Sequence, residues 1–320
     1  MMHREEGFMD LAMQTGALML AILIGYAGKR LGFFGHDDYR LLQTLIFNIT
    51  LPAAVIQSFA KNDHDLRMFW VILLGFLATL VPLLVIYAVE RRQSKRSRGF
   101  QMLVGTTFNV GSFALPVITT FLGAGAGVAV VMFDTGNAIM CAAGSLVLTN
   151  LLLHLDANWD GMTARQKCRT IARNFYSSVP FDMYMVMIVM LLTGIPVPDP
   201  VVMVITPFAN ANTFLSMVMV GMMMEIPHAR GEIVDMAKVL GWRLAVAVVA
   251  ALAAWFLLPL APEVRMVVAI TAFAPISIFS TKFADQTLDR GELAGFSLTV
   301  SAIISLLIMA GLCAWMPTLL

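Results

Sequence analysis

The sequence predicts an all-α polytopic membrane protein of ten transmembrane helices, arranged as two inverted five-helix repeats, with helices 4 and 9 broken and crossing. Three observations predict it. The 320 residues are 59% hydrophobic and only 13% charged, about half the charged share of a soluble domain, and mean hydropathy is +0.82. Ten apolar runs of roughly the 20 residues that cross a bilayer follow one another. Two of these runs are interrupted by Gly, Pro and polar residues at matching places in the two halves of the chain.

The runs lie at about 9–28, 38–59, 68–90, 100–123, 127–152, 177–195, 201–224, 233–259, 263–283 and 292–316. The longest polar connection separates runs five and six. It divides the chain into a first five-helix repeat over 1–153, a cytoplasmic linker over 154–176 and a second five-helix repeat over 177–320. Within the linker, Trp159 with Arg165, Lys167, Arg169 and Arg173 predicts a short helix lying at headgroup level. With the N-terminus outside, all but four of the 21 Lys and Arg residues (Arg4, Lys61, Arg67 and Arg265) fall on the cytoplasmic side, Arg243 among them. Both termini then lie outside the cytoplasm. An odd number of spans per half makes the second half enter from the opposite side, as an inverted repeat requires.

Local matches support the duplication. In span two Asn48 stands four residues before Pro52, and in span seven Asn210 stands four before Phe214. Asn48 and Asn210 are 162 residues apart, and Pro116 and Pro275 are 159 apart. Span four carries Asn109, Gly111 and Pro116, the last two bracketing the expected break; span nine carries Pro275, Ser277 and Ser280. A break inside a bilayer strands N–H and C=O groups and persists only where protein or a wet cavity satisfies them. Paired breaks are the best sequence pointer to a transporter site. Where two broken helices cross, half-helix N-termini bring partial positive charge to mid-membrane and hold an anion without any buried Lys or Arg. Asn109, Gly111, Pro116, Pro275, Ser277, Asn48 and Asn210 are therefore the candidate substrate-binding residues.

Asp134 in span five is an ionisable group at membrane depth and by default a functional candidate. Asn137, three residues on, shares its face. Together they are the candidate ion-coupling pair, for H+ or Na+. The alternative is a protonated Asp hydrogen-bonded to a neighbouring helix. Each Asn could equally pin helix to helix. Lys282 and Asp285 are spaced as a paired i, i+3 couple at the end of span nine.

Other chemistries find no support. Cys141, Cys168 and Cys313 show neither a disulfide framework nor a metal spacing. The Gly123–Gly127 stretch lacks the Lys-Ser/Thr partner of a phosphate loop. No nucleophile–base set suggests an enzyme, and no basic stripe with interleaved aromatics suggests nucleic acid. No cofactor is implied. The N-terminus does not read as a cleavable signal peptide. A membrane channel or a sensor for a small anion remains the alternative to a carrier.

At these residues the chain resembles the auxin efflux carrier family, which includes plant auxin exporters and bacterial dicarboxylate carriers. The likeness is carried by Gly25–Gly32, Asn48–Pro52, Phe108-Asn109-Val110-Gly111 through Pro116, Phe133-Asp134 with Asn137, and Ala274-Pro275. Phe214 and the Ser178-Val179-Pro180-Phe181 opening of span six depart from the family pattern. The resemblance implies organic-anion binding at the crossing of spans four and nine and elevator-like movement. It implies malate, malonate or an auxin-like carboxylate as substrate, a bacterial inner membrane as location, and a homodimer as an oligomeric form.

Overall fold

In the computed structural model, residues 2–60, 65–155, 161–176, 179–224 and 230–320 are described. Among them the secondary structure is helical, with no strand beyond one isolated antiparallel bridge. The helices are α1 (Met2–Arg30), α2 (Tyr39–Phe59), α3 (Leu66–Val89), α4 (Lys95–Val104), α5 (Val110–Leu122), α6 (Ala124–Leu153), α7 (Ala164–Tyr176), α8 (Val179–Thr193), α9 (Asp199–Met222), α10 (Arg230–Leu257), α11 (Pro262–Thr271), α12 (Ile278–Leu288) and α13 (Gly291–Leu319). Six of them, α2, α3, α6, α9, α10 and α13, are long and apolar enough to cross a membrane. This is a multi-pass membrane protein.

The two interrupted runs are each two half-helices. The chain leaves helical geometry between α4 and α5 and again between α11 and α12. The first break lies N-terminal to the position expected for it: residues 105–109 are unwound, and Gly111 and Pro116 both follow them. Pro116 sits in the first α-helical turn after the wide, π-type turn Val110–Ala114. Such a turn already drops one i→i−4 bond, so it accommodates a residue that has no N–H to give.

Close backbone contacts organise two sets of helices. The first set is α1, α2, α8 and α9. Along α1 and α9 the backbones approach so nearly that a Cβ on Gly221 would stand 1.9 Å from the Ile22 carbonyl oxygen, and one on Gly25 2.0 Å from that of Val218. The second set is α3 to α6 with α10 to α13. There a Cβ on Gly136 would stand 2.0 Å from the Ile72 carbonyl oxygen, and one on Gly75 2.1 Å from that of Phe133. Small residues are what such approach requires where lipid supplies no hydrophobic drive between helices. At the end of α5, Gly123 takes φ 82°, a conformation open mainly to glycine, and the chain turns directly into α6.

The amphipathic linker helix is present as α7, packed on α8 and on a second wide turn, Met140–Gly144. Arg165, Arg169 and Arg173 are exposed on it, and Trp159 lies outside the described residues. The predicted Lys282–Asp285 ion pair does not form; both side chains line a large cavity instead. Arg243 is not in a loop. It lies inside α10 and is 5% exposed. Counting charges along a sequence cannot distinguish a cation at a helix end from one turned inward at mid-helix.

Candidate functional site

The unwound stretches of the two broken segments lie antiparallel, with Phe108 opposite Ile276. The Asn109 N–H donates to the Pro275 carbonyl at 2.8 Å, and the Ser277 N–H donates to that of Thr107 at 3.3 Å. Residues between two such bonds have no partner across the pair, so their polar groups must be satisfied from elsewhere. Asn137 of α6 serves Phe108 with both ends of its amide: its Oδ1 accepts from the Phe108 N–H at 3.0 Å and its Nδ2 donates to the Phe108 carbonyl at 2.9 Å. Ser301 of α13 accepts from the Ile276 N–H at 3.1 Å. The Arg243 guanidinium donates to the Ala274 carbonyl from Nε, at 3.1 Å, and from Nη2. The Thr107 and Ser280 hydroxyls, 2.7 Å apart, link the two segments again.

Beside the crossing lies a partly open cavity of about 50 Å³. Its wall is built from the first turns of both half-helices, Asn109 to Ser112 before and in α5 and Ser277 to Phe279 at the start of α12. Asp134, Asn137 and Cys141 of α6, Tyr184 of α8, and Phe47 and Leu51 of α2 complete it. The half-helix N-termini therefore point at one space, the arrangement that favours negative charge.

One carboxyl group is already there. Asp134 accepts from the Tyr184 hydroxyl at 2.5 Å and from Asn137 Nδ2 at 2.8 Å. A Cβ at Gly111 would stand 3.0 Å from that carboxylate and from the Tyr184 oxygen, so only glycine brings the start of α5 so close. Asn109 has its Oδ1 held by the Ser112 hydroxyl at 2.5 Å, while its buried Nδ2 has no hydrogen-bond partner. A buried donor left unpaired costs about 1–3 kcal/mol. Asn109 is one of the residues that line the cavity. The Cys141 thiol, 3.5 Å from the Ser277 hydroxyl, reaches the same wall.

The Phe47 and Phe279 rings stack with centroids 5.5 Å apart, one from each helix set. A second cavity of about 630 Å³ shares Ile278 and Phe279 with the first; Lys29, Arg40 and Lys282 line it with Asp37, Asp285 and Glu292. Among the described residues no cluster of His, Cys, Asp or Glu suits a metal ion.

The structure thus brings together Asn109, Gly111, Ser277, Asp134 and Asn137. Pro275 forms part of the crossing through its carbonyl but does not line the cavity, and Pro116 lies buried in α5 away from it. Asn48 and Asn210 are exposed, and neither reaches the cavity. Asn48 donates to the Thr44 carbonyl of its own helix. The residues that meet between α2 and α9 are Thr50 and Asn212, at 2.9 Å. Arg243, expected among the cytoplasmic loop cations, lies beside the crossing instead, its guanidinium 3.7 Å from the centroid of the Phe108 ring. Tyr184 was not singled out by the sequence, because a tyrosine near a span end reads as an interfacial anchor. Its place a full turn inside α8, after Pro180, was the available signal.

Residues 11–158 match a family model described as a membrane transport protein, the family that includes the auxin efflux carriers. An uncharacterized transporter of Methanothermobacter thermautotrophicus is 24% identical over 140 residues, 42% of this chain. The matched region spans about half, 46%, of that relative's length.

Proposed function

Starting from a first half that matches the membrane transport protein family, we propose that the chain is a secondary active transporter of a small organic anion. The substrate is a mono- or dicarboxylate such as malate or malonate, or an auxin-like carboxylate, moved by alternating access at the crossing. The observation that carries this reading is a cavity walled by two half-helix N-termini and lined by Asn109, whose buried amide donor has no partner. A carboxylate there would accept from Asn109 and lie in the field of both termini. Asp134 and Asn137 form the coupling pair, with H+ or Na+ as the driving ion.

Several features support the architecture this mechanism needs. With each broken pair counted as one span, five spans lie on either side of the linker helix α7, in keeping with repeats at 1–153 and 177–320. Thr50 and Asn212, 162 residues apart, touch each other, and so do Phe108 and Ile276. Contacts of this kind are expected near an axis relating two inverted repeats. The site is divided between the two helix sets: Phe47, Leu51 and Tyr184 come from one, and the crossing with Asp134 from the other. An elevator-like slide of one set against the other would carry the cavity across the membrane, with both termini outside the cytoplasm.

The test is uptake of labelled malonate and malate into proteoliposomes, with pH and Na+ gradients imposed separately. Saturable, gradient-driven uptake is expected. Asn109→Ala removes the free donor, and its KM should rise about tenfold, the loss of one hydrogen bond to a charged group. Uptake of neither carboxylate under either gradient would reject the reading.

A further inference from the structure

We infer that Arg243 is the fixed counter-charge for a substrate carboxylate at the crossing, which binds while Asp134 is protonated. This rests on the organic-anion reading above and goes beyond it by naming what balances the anion.

Arg243 is buried inside α10, and among the described residues no carboxylate pairs with it. Its partners are the Ala274 carbonyl and the face of Phe108, and its Nη1 makes no hydrogen bond. A buried guanidinium with only a carbonyl dipole and an aromatic face is costly in a membrane interior. A backbone carbonyl needs one donor, which a neutral side chain supplies at lower cost, so the clamp on Ala274 does not by itself account for an arginine.

Phe108 joins the two sides. Its ring carries the guanidinium, and it also lines the cavity. A carboxylate in van der Waals contact with that ring would lie about 7–8 Å from the guanidinium carbon. At an effective dielectric constant of about 20, that separation corresponds to roughly a twentyfold gain in affinity or more. Asp134 faces the same cavity, where its own ionised carboxylate and a substrate's would repel each other.

Exchange of one for the other needs a proton, and the surroundings accommodate it. The titratable groups facing Asp134 are the Tyr184 phenol from α8 and the Cys141 thiol on its own helix. The turns of α2, α5 and α12 that line the cavity present none, and α3 packs on α6 through Ile72 and Gly75. Two side-chain donors, Tyr184 and Asn137, hold the ionised acid. Once protonated it must itself donate, and Tyr184 is the partner that can change from donor to acceptor. The proton comes from the water on the side that the cavity faces and leaves with the substrate on the other.

The test measures malonate binding to the purified protein by thermal shift between pH 7 and 9, where malonate keeps its charge. The native protein should bind more tightly at the lower pH. Arg243→Gln, which keeps an amide donor for Ala274 and loses the charge, should weaken binding about twentyfold. Arg243→Lys, which keeps the charge and loses the fork, should recover most of that loss. Asp134→Asn should bind malonate with no pH dependence in this range. Native-like affinity in Arg243→Gln, or a lysine variant as weak as the glutamine one, would reduce Arg243 to a backbone clamp and overturn the inference. Should Arg243→Gln fail to fold, the native pH dependence persisting in Asp134→Asn would overturn it instead. A native protein indifferent to carboxylates at every pH removes the anion reading itself, and this inference with it.

Discussion

Replacing Asn137 by leucine should abolish transport and cut the yield of folded protein several-fold. The amide holds the Phe108 N–H, the Phe108 carbonyl and one oxygen of Asp134. Leucine has a similar volume and no polar atom, so the loss is one of hydrogen bonding and not of packing. Two backbone groups at the break would be left dry at about 1–3 kcal/mol each, in a stretch where no helix can satisfy them and lipid cannot. Asn137→Asp separates the contributions. It retains an acceptor for the Phe108 N–H, loses the donor to the carbonyl and sets a second carboxylate beside Asp134. Its folded yield should lie between native and leucine, and its transport should fall at least tenfold. Melting temperature in detergent and uptake in proteoliposomes measure the two effects. Native stability in Asn137→Leu would mean that the break is held by other contacts.

Asp134→Asn should abolish accumulation against a gradient while leaving exchange of substrate for substrate. The side chain keeps its size and can still accept from Tyr184, so the cavity wall should persist. What disappears is the group that changes charge. An ionised carboxylate at membrane depth is costly, so this variant should fold at least as well as the native protein. In proteoliposomes the accumulation ratio under an imposed gradient should fall to about one, with counterflow retained within a few-fold. A gradient response equal to that of the native protein would remove Asp134 from coupling.

These expectations rest partly on features legible in the sequence and partly on features that were not. The paired breaks were legible because Gly, Pro and Asn together interrupt an apolar helix at a cost that a lipid-facing segment cannot offset. Their position was less so. Pro116 suggested a crossing eight residues beyond the actual one at Phe108, since a proline after a wide turn leaves no mark that distinguishes it from a proline at the break. The same irregularity obscured span two. The wide turn Ile46–Thr50 contains Asn48 and changes which residues face inward, so Thr50 turns in and Asn48 turns out. Helical phase counted at 3.6 residues per turn cannot register such an insertion.

Asp134 and Asn137 were legible because an acid and an amide three residues apart share a helix face wherever the helix is regular. Their partner Tyr184 was not, because the pairing joins two helices 50 residues apart in sequence. Arg243 was hidden for a different reason. Orientation rules weigh a basic residue by its distance from a span end, and an arginine at mid-helix enters the same tally as one in a loop.

The most direct test of the central claim, that the cavity at the crossing is where substrate binds, uses Cys141. Its thiol lines that cavity, while Cys168 is exposed elsewhere and Cys313 is buried in α13. In a Cys168→Ser, Cys313→Ser background, the rate of Cys141 modification by methyl methanethiosulfonate is measured with and without saturating malonate. Malonate should slow the reaction at least fivefold, with no protection by an equal concentration of chloride. Modification at the same rate with malonate present, in protein that transports malonate, would place the substrate somewhere other than the crossing.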